Sequence, residues 1–419
     1  MNNTSSCNDA FEQDAISVAE AVECILSKTQ SVAQINKLHI REALNRVVSR
    51  DILSPQDVPA HDNSAMDGYA VASDSLPLSE SMKYKVVGTA YAGRPFDGLC
   101  GDGECVRIMT GAMMPAHTDS IVIQEQVTVL DSGYVEINPG HRKHQNVRFS
   151  GEDIKQGAAV FSKGHKISAA DLGVLASLGI AECCVFRKPR VSFFSTGDEL
   201  RSIGETLNKG DIYDSNRYSL YGLLSGCHVD IIDMGVIKDD PVAIKQALLD
   251  AAGCSDMVLT SGGVSVGEAD YIKDILVDIG RMDFFKIAMK PGRPLTSGEI
   301  NDCLFFGLPG NPVAVMVTFY QFVLPSLVKL SGMTYERPLS FKAECQSKIR
   351  KSPGRCEFQR AVASVGEDGN LKVKLTGKQG SGILTSMSMA NCFIVLPEDR
   401  GSIQEGDEVT VEFFRGYYP

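Results

Sequence analysis

From Pro189 onward the chain repeats one unit: an apolar run of strand length, a glycine-bearing loop, then a segment of helical spacing. RVSFFSTG leads to Ser215–Ser225, VDIIDMGVI to Pro241–Ala252, and DMVLTSGG to Ala269–Ile279. Strand and helix in strict alternation predict a doubly wound α/β domain, whose ligands bind at the carboxyl ends of its strands. The domain is expected to continue through FFKIAMKPGRPL and CLFFGLPG into a long helix, Asn311–Leu330, where Pro312 suits the first turn.

The rest of the chain reads differently. Apolar residues at helical spacing predict a helix over Ala15–Thr29 and a second, short one over Leu38–Val48. Between Lys83 and Ile137, short β-rich runs broken by Gly, Pro and Asp predict an inserted all-β lobe. GEDIKQGAAVFSKGHKIS reads as β-arches leading to a capped helix, Ser168–Leu178, closed by Gly179. After Thr334 the alternation predicts a compact β domain. The expected division is 1–60 (N-terminal helices, packing with 148–187), 61–147 (β lobe), 148–187, 188–331 (α/β) and 332–419 (β), in 419 residues.

Composition excludes some functions. The net charge of −11 comes without a dense Lys/Arg tract, which argues against a nucleic-acid partner. MNNTSSCNDAFEQD has neither a basic nor an apolar leader region, and no apolar run is expected to reach the ~18 residues of a membrane span. The expectation is a cytoplasmic protein. Its 12 cysteines show no CxxC or CxxH spacing and read as reduced, structural thiols. None of the seven histidines makes a recognisable catalytic pairing.

Chemistry concentrates in a few loops. LTSGGVSVGEADYIKD, Leu259–Asp274, sets Gly262, Gly263 and Gly267 beside Glu268 and Asp270, and STGDEL sets Gly197 beside Asp198 and Glu199. Glycines let backbone N–H groups approach a phosphate. Both loops leave strands of one sheet, so their acids can converge. Two carboxylates about 4 Å apart at an effective dielectric of ~20 repel by roughly 4 kcal/mol, so such a cluster protonates, spreads or binds a cation such as Mg2+. Equally, Glu199 and Asp270 read as first-turn acids facing a helix dipole. The residues alone leave both readings open. Lys286, Lys290 and Arg293 supply positive charge, while Pro309, Gly310 and Asn311 precede a helix whose N-terminus suits an anion.

Taken in order, DNSAMDGYAV, RIMTGAMMP, GED, STGDEL, IYDSNR, SGGVSVGEAD, KPGRP, GLPGNPV and GRCEFQR resemble the molybdopterin molybdenumtransferase family, which includes gephyrin E-domain-like proteins. The resemblance runs from about residue 15 to 415. It implies a homodimer that inserts molybdate into the dithiolene of adenylylated molybdopterin with Mg2+-dependent release of AMP. It further implies transient contact with a molybdopterin adenylyltransferase and with recipient molybdoenzymes. Carried over motif by motif, the resemblance implies catalytic roles for Asp67, Asp153, Glu199, Asp239, Asp270, Lys286 and Lys290. Glu199 and Asp270 are the implied metal ligands, and Asp67 and Asp153 are expected to act in the partner's cleft. Substrate contacts are implied for Thr196, Gly197, Ser261, Gly262, Gly263, Ser265, Gly267, Arg293, Pro309, Pro312, Arg355 and Ser381. Arg293 stands where this family often has lysine, and Ala314 where serine is frequent. Two other readings share the architecture: a molybdopterin adenylyltransferase, usually with a GGTG-type loop, and a gephyrin-like scaffold. A nicotinamide dehydrogenase would need a GxGxxG after the first strand, which is lacking.

Overall fold

The computed structural model describes residues 15–131, 133–262 and 271–414. Gly263, Ser265, Gly267, Glu268 and Asp270 lie outside the described residues. The described residues form two compact units: one comprises those up to Asn36, Asn45–Ser49 and those from Cys184 on; the other comprises Lys37–Leu44 and those of Arg50–Cys183.

In the second unit a six-stranded sheet is built from Gly68–Val71, Met82–Ala90, Glu104–Ile108, Ser120–Ile123, Val127–Leu130 and Tyr134–Ile137. Its alternating residues fill two small cores, one holding Tyr84, Cys105 and Ile137, the other Ala70, Val106 and Ile121. The helix Ala169–Ser177 starts where Ser168 and Asp171 exchange side-chain and backbone hydrogen bonds, and Gly179 follows it at φ +70°. The helix expected over Leu38–Val48 does not form. Ile35–His39 is a strand paired with Glu182–Phe186, and Ile40–Ala43 is a single 3-10 turn. Ladder bonds to a distant segment outweigh the local apolar spacing there.

The first unit contains the α/β domain. Its elements are β1 (Arg190–Thr196), α1 (Ser215–Ser225), β2 (Asp230–Ile237), α2 (Pro241–Cys254), β3 (Met257–Ser261), α3 (Tyr271–Ile279), β4 (Arg281–Lys286), β5 (Pro294–Ile300) and β6 (Cys303–Leu308). The sheet order is β2-β1-β3-β6-β5-β4, parallel from β2 to β6 and antiparallel beyond. Asp214 caps α1, and Asp240 caps α2 with Pro241 in its first turn. Every residue of β3 and β6 is buried, as parallel strands covered on both faces require.

The helix after β6, α4 (Pro312–Leu330), includes a π turn at Phe319–Val323. By length and hydropathy it passes the test for a membrane span, which corrects the expectation that no apolar run is that long. The window is 83% buried, so this apolar length belongs to a core helix. The main core joins Val313, Val317 and Phe322 of α4 to Ala21 and Ile25 of the helix Val18–Lys28, and to Phe358 and Phe393 of the C-terminal strands.

Those strands are β7 (Ser340–Cys345), β8 (Cys356–Val365), β9 (Leu371–Leu375), β10 (Cys392–Leu396) and β11 (Glu408–Phe413). They run β8-β9-β7-β11-β10, and β10 pairs again with β8, closing a small barrel without free edges. The short strand Met289–Lys290 adds to the outside of β8, tying the barrel to the α/β domain.

Candidate functional site

Where the carboxyl ends of the central strands face the barrel there is a cavity of about 630 Å3. Each strand end delivers a short loop to it. β1 runs buried to Thr196 and turns at Gly197–Leu200, closed by the Leu200 N–H on the Gly197 carbonyl at 3.1 Å. β3 ends beside it, with the Ser195 and Ser261 hydroxyls 2.9 Å apart. Gly262 follows at φ +88°, where a Cβ would stand 2.7 Å from the Thr196 carbonyl oxygen, so only glycine fits without displacement. β6 delivers Pro309, Gly310 and Asn311 ahead of α4.

The acids gather on one side. Glu199 and Asp239 both line the cavity, and the Asp239 N–H donates to Asp198 Oδ1 at 3.4 Å. Desolvation, then the negative charges of Asp198 and Glu199, push the Asp239 carboxyl above its usual range. These carboxylates repel one another. Among the described residues no group of three or more His, Cys, Asp or Glu is arranged to hold a metal. A divalent ion bound mainly through substrate phosphates needs only one or two carboxylates, however, so the donor set fits Mg2+.

Positive charge stands opposite. Lys290, cis-linked to Pro291, lines the cavity with its Nζ 3.5 Å from Oε1 of Glu357, a carboxylate whose side chain is only 6% exposed. From β8 comes Arg360, 1% exposed, whose Nε donates to Ser386 Oγ and Nη2 to the Gly380 carbonyl, both at 3.1 Å. Among the described residues no carboxylate neutralises it. Burial therefore pulls its pKa down to about 10. A buried cation held by neutral acceptors at a cavity wall is chemically prepared for an anion. Two further wall residues carry buried atoms without partners, Thr196 Oγ1 and Gln359 Oε1. Gln379 and Ser381 complete the barrel side, and the Val313 N–H of α4 donates to the Ser381 carbonyl at 3.0 Å.

Of the residues singled out in the sequence, the cavity gathers Thr196, Gly197, Glu199, Asp239, Gly262, Lys290, Arg293, Pro309 and Ser381. Pro312 sits at the first turn of α4, and Ser261 is buried against Ser195 just behind the wall. Lys286 ends β4, and Arg355 lies in the turn before β8; neither is a wall residue. In the other unit, Asp67 accepts from the Thr110 N–H and hydroxyl, both at 2.7 Å, which hold its carboxyl below the usual range. Asp153 is exposed there, its N–H donating to the Val58 carbonyl. Arg360 escaped the sequence reading. The FQR of β8 holds its signal, a charged residue two positions after core-facing Phe358 and so on the same strand face.

Three family models match successive parts of the chain. They are the MoeA N-terminal region (domain I and II) over residues 16–179, a probable molybdopterin binding domain over 192–329, and the MoeA C-terminal region (domain IV) over 342–414. A molybdopterin molybdenumtransferase of Haemophilus influenzae is 41% identical over 95% of this chain and 98% of its own length. Gephyrin of Dictyostelium discoideum is 34% identical over 94% of this chain and 61% of its own length. The crystal structure of a molybdopterin biosynthesis moeA protein from Pyrococcus horikoshii superposes with a TM-score of 0.83 at 29% identity, covering 96% of this chain and all of that one.

Proposed function

The chain belongs to the molybdopterin molybdenumtransferase family and is a transferase of molybdenum cofactor biosynthesis, and we propose that its substrates meet in the cavity between the strand ends and the barrel. In this reading molybdate enters the dithiolene of adenylylated molybdopterin and the phosphoanhydride is cleaved to release AMP. The observation that carries it is Arg360, a buried guanidinium without an acid partner among the described residues, facing a cavity that Glu199 and Asp239 also line. An oxyanion such as molybdate satisfies Arg360, aided by Ser381 and Lys290.

Glu199 and Asp239 would hold Mg2+, with Asp198 alongside, and the ion would supply charge neutralisation at the phosphates. The chain's own groups bind and orient. Arg360 and Lys290 fix anionic oxygens, Gly262 lets backbone approach closely, and the surrounding walls limit water. No protein nucleophile is needed. The reading includes a cytoplasmic homodimer in which Asp67 and Asp153 serve the partner's cleft, with passing contacts to a molybdopterin adenylyltransferase and to recipient molybdoenzymes.

The test is incubation of purified protein with adenylylated molybdopterin, molybdate and Mg2+. AMP release matched by active cofactor, and its loss when Mg2+ is chelated, is the expected result. Nucleotide that persists with no cofactor formed would overturn the reading.

A further inference from the structure

Asn216 lies in the first turn of α1 and is not a wall residue, yet it is tied to the wall. Its Nδ2 donates to the Gly310 carbonyl at 2.8 Å. Chemistry fixes this orientation, because a carbonyl only accepts and the NH2 end must face it. The consequence is that Asn216 Oδ1 is buried without a partner. Two residues earlier, Asp214 uses Oδ1 to cap α1 at the Arg217 N–H, 3.1 Å away, and likewise leaves Oδ2 buried and unpartnered. A fold that keeps an unsatisfied buried oxygen to make one bond gives that bond a purpose.

The purpose follows from peptide geometry. The Gly310–Asn311 peptide is trans, so its C=O and N–H point in opposite directions. With the carbonyl clamped toward α1, the Asn311 N–H must point away from α1. It has no acceptor among the described residues. Asn311 and Gly310 both line the cavity, and Asn311 stands at the N-terminus of α4 without a side-chain cap. Pro312 contributes no N–H, and the Val313 N–H is taken by the Ser381 carbonyl. The Asn311 N–H, at the N-cap of α4, is thus a donor left for an occupant.

We propose that Asn216 is a positioning residue that clamps the Gly310 carbonyl and so holds the Asn311 N–H as a fixed donor to an oxyanion in the cavity. The proposal rests on the functional reading above for the identity of that oxyanion, either molybdate or the substrate's phosphate. Asn216 itself touches neither.

The test uses Asn216→Ala and Asn216→Asp in the full-length protein, qualified by melting curves. Calorimetry measures the affinity of molybdate alone and of AMP alone, and kinetics give KM and kcat for each substrate. Ala frees the turn, and the expected result is about tenfold weaker binding of one of the two anions, with KM rising more than kcat falls. The arm that responds identifies the oxyanion. Asp keeps the shape but sets a carboxylate against the Gly310 carbonyl, so binding at pH 8 is weaker still. On protonation its O–H donates as the amide did, and binding returns toward wild type as the pH falls to 5.5. Asp214 in the α1 cap raises the pH of that return, and Arg217, paired with Asp233 of β2, lowers it. The first turns of α4 carry no charge.

The Asp variant's recovery at low pH is a readout that lost packing would not produce. Should the Asp variant not fold, the Ala variant decides alone. Wild-type affinity for both anions in either folded variant, or an Asp variant that tracks the Ala variant at every pH, overturns the proposal. A wild-type protein that binds these anions but releases no AMP would instead sink the functional reading and leave the binding result standing.

Discussion

Replacing Arg360 by Met separates what the fold needs from what the site needs. The fall of the guanidinium pKa to about 10, at about 1.4 kcal/mol per pH unit, puts the burial of this charge at about 3 kcal/mol unfavourable. Met lifts that cost and fills much of the same space, but gives up the bonds from the charged guanidinium to Ser386 and Gly380, at about 1.5 kcal/mol each. The two nearly cancel, so the free protein keeps about its wild-type stability. The sign with pH is definite. Between about 10 and the ordinary arginine range the unfolded chain holds the proton that the folded one has lost, so the wild type gains stability with rising pH only there. At neutral pH the cost is constant. The assay is thermal unfolding with and without molybdate. At a hundredfold excess over Kd, molybdate stabilises the wild type by about 2.7 kcal/mol, and the Met variant loses most of this while melting no earlier when free. A Met variant destabilised by about 3 kcal/mol or more that keeps the full molybdate effect would refute the argument, showing Arg360 to be structural.

Two further perturbations probe the rest of the cavity. Gly262→Ala places a Cβ 2.7 Å from the Thr196 carbonyl at φ +88°, so turnover should fall at least tenfold and the melting temperature should drop; a silent variant would show that the loop ends have room. Glu199→Gln removes one of the charges that raise Asp239. Its carboxyl should then titrate at lower pH by NMR, while Mg2+ affinity falls, and an unmoved Asp239 would separate the two acids.

The parts of the fold carried by local pattern were readable in the sequence. α1 was expected over Ser215–Ser225 and forms there, because Asp214 caps it and its buried face recurs at Leu220, Leu223 and Leu224. The segment 38–48 misled because its apolar spacing resembles a helix while its partner, Glu182–Phe186, lies far along the chain. The barrel's closure, β10 returning to β8, likewise has no local signal. At the site, Glu199, Lys290 and Pro309 stood out because glycine, charge and proline are conspicuous in loops. Arg360 did not, since its meaning comes from burial without a counter-charge. Arg360 lies five residues after Arg355, inside a strand, where an arginine ordinarily faces solvent. Asn216 was visible only as part of IYDSNR, because its partner Gly310 is brought to it by the packing of α1 near α4.

The account's central claim is that one cavity, acidic at the strand ends and cationic at the barrel wall, receives the oxyanion. The most direct measurement is anomalous diffraction at the molybdenum edge from crystals soaked in molybdate. The account predicts one dominant peak in the cavity, within hydrogen-bonding reach of the Arg360 guanidinium and beside Ser381. A cavity empty at saturating molybdate, with the metal bound elsewhere on the protein, would contradict it.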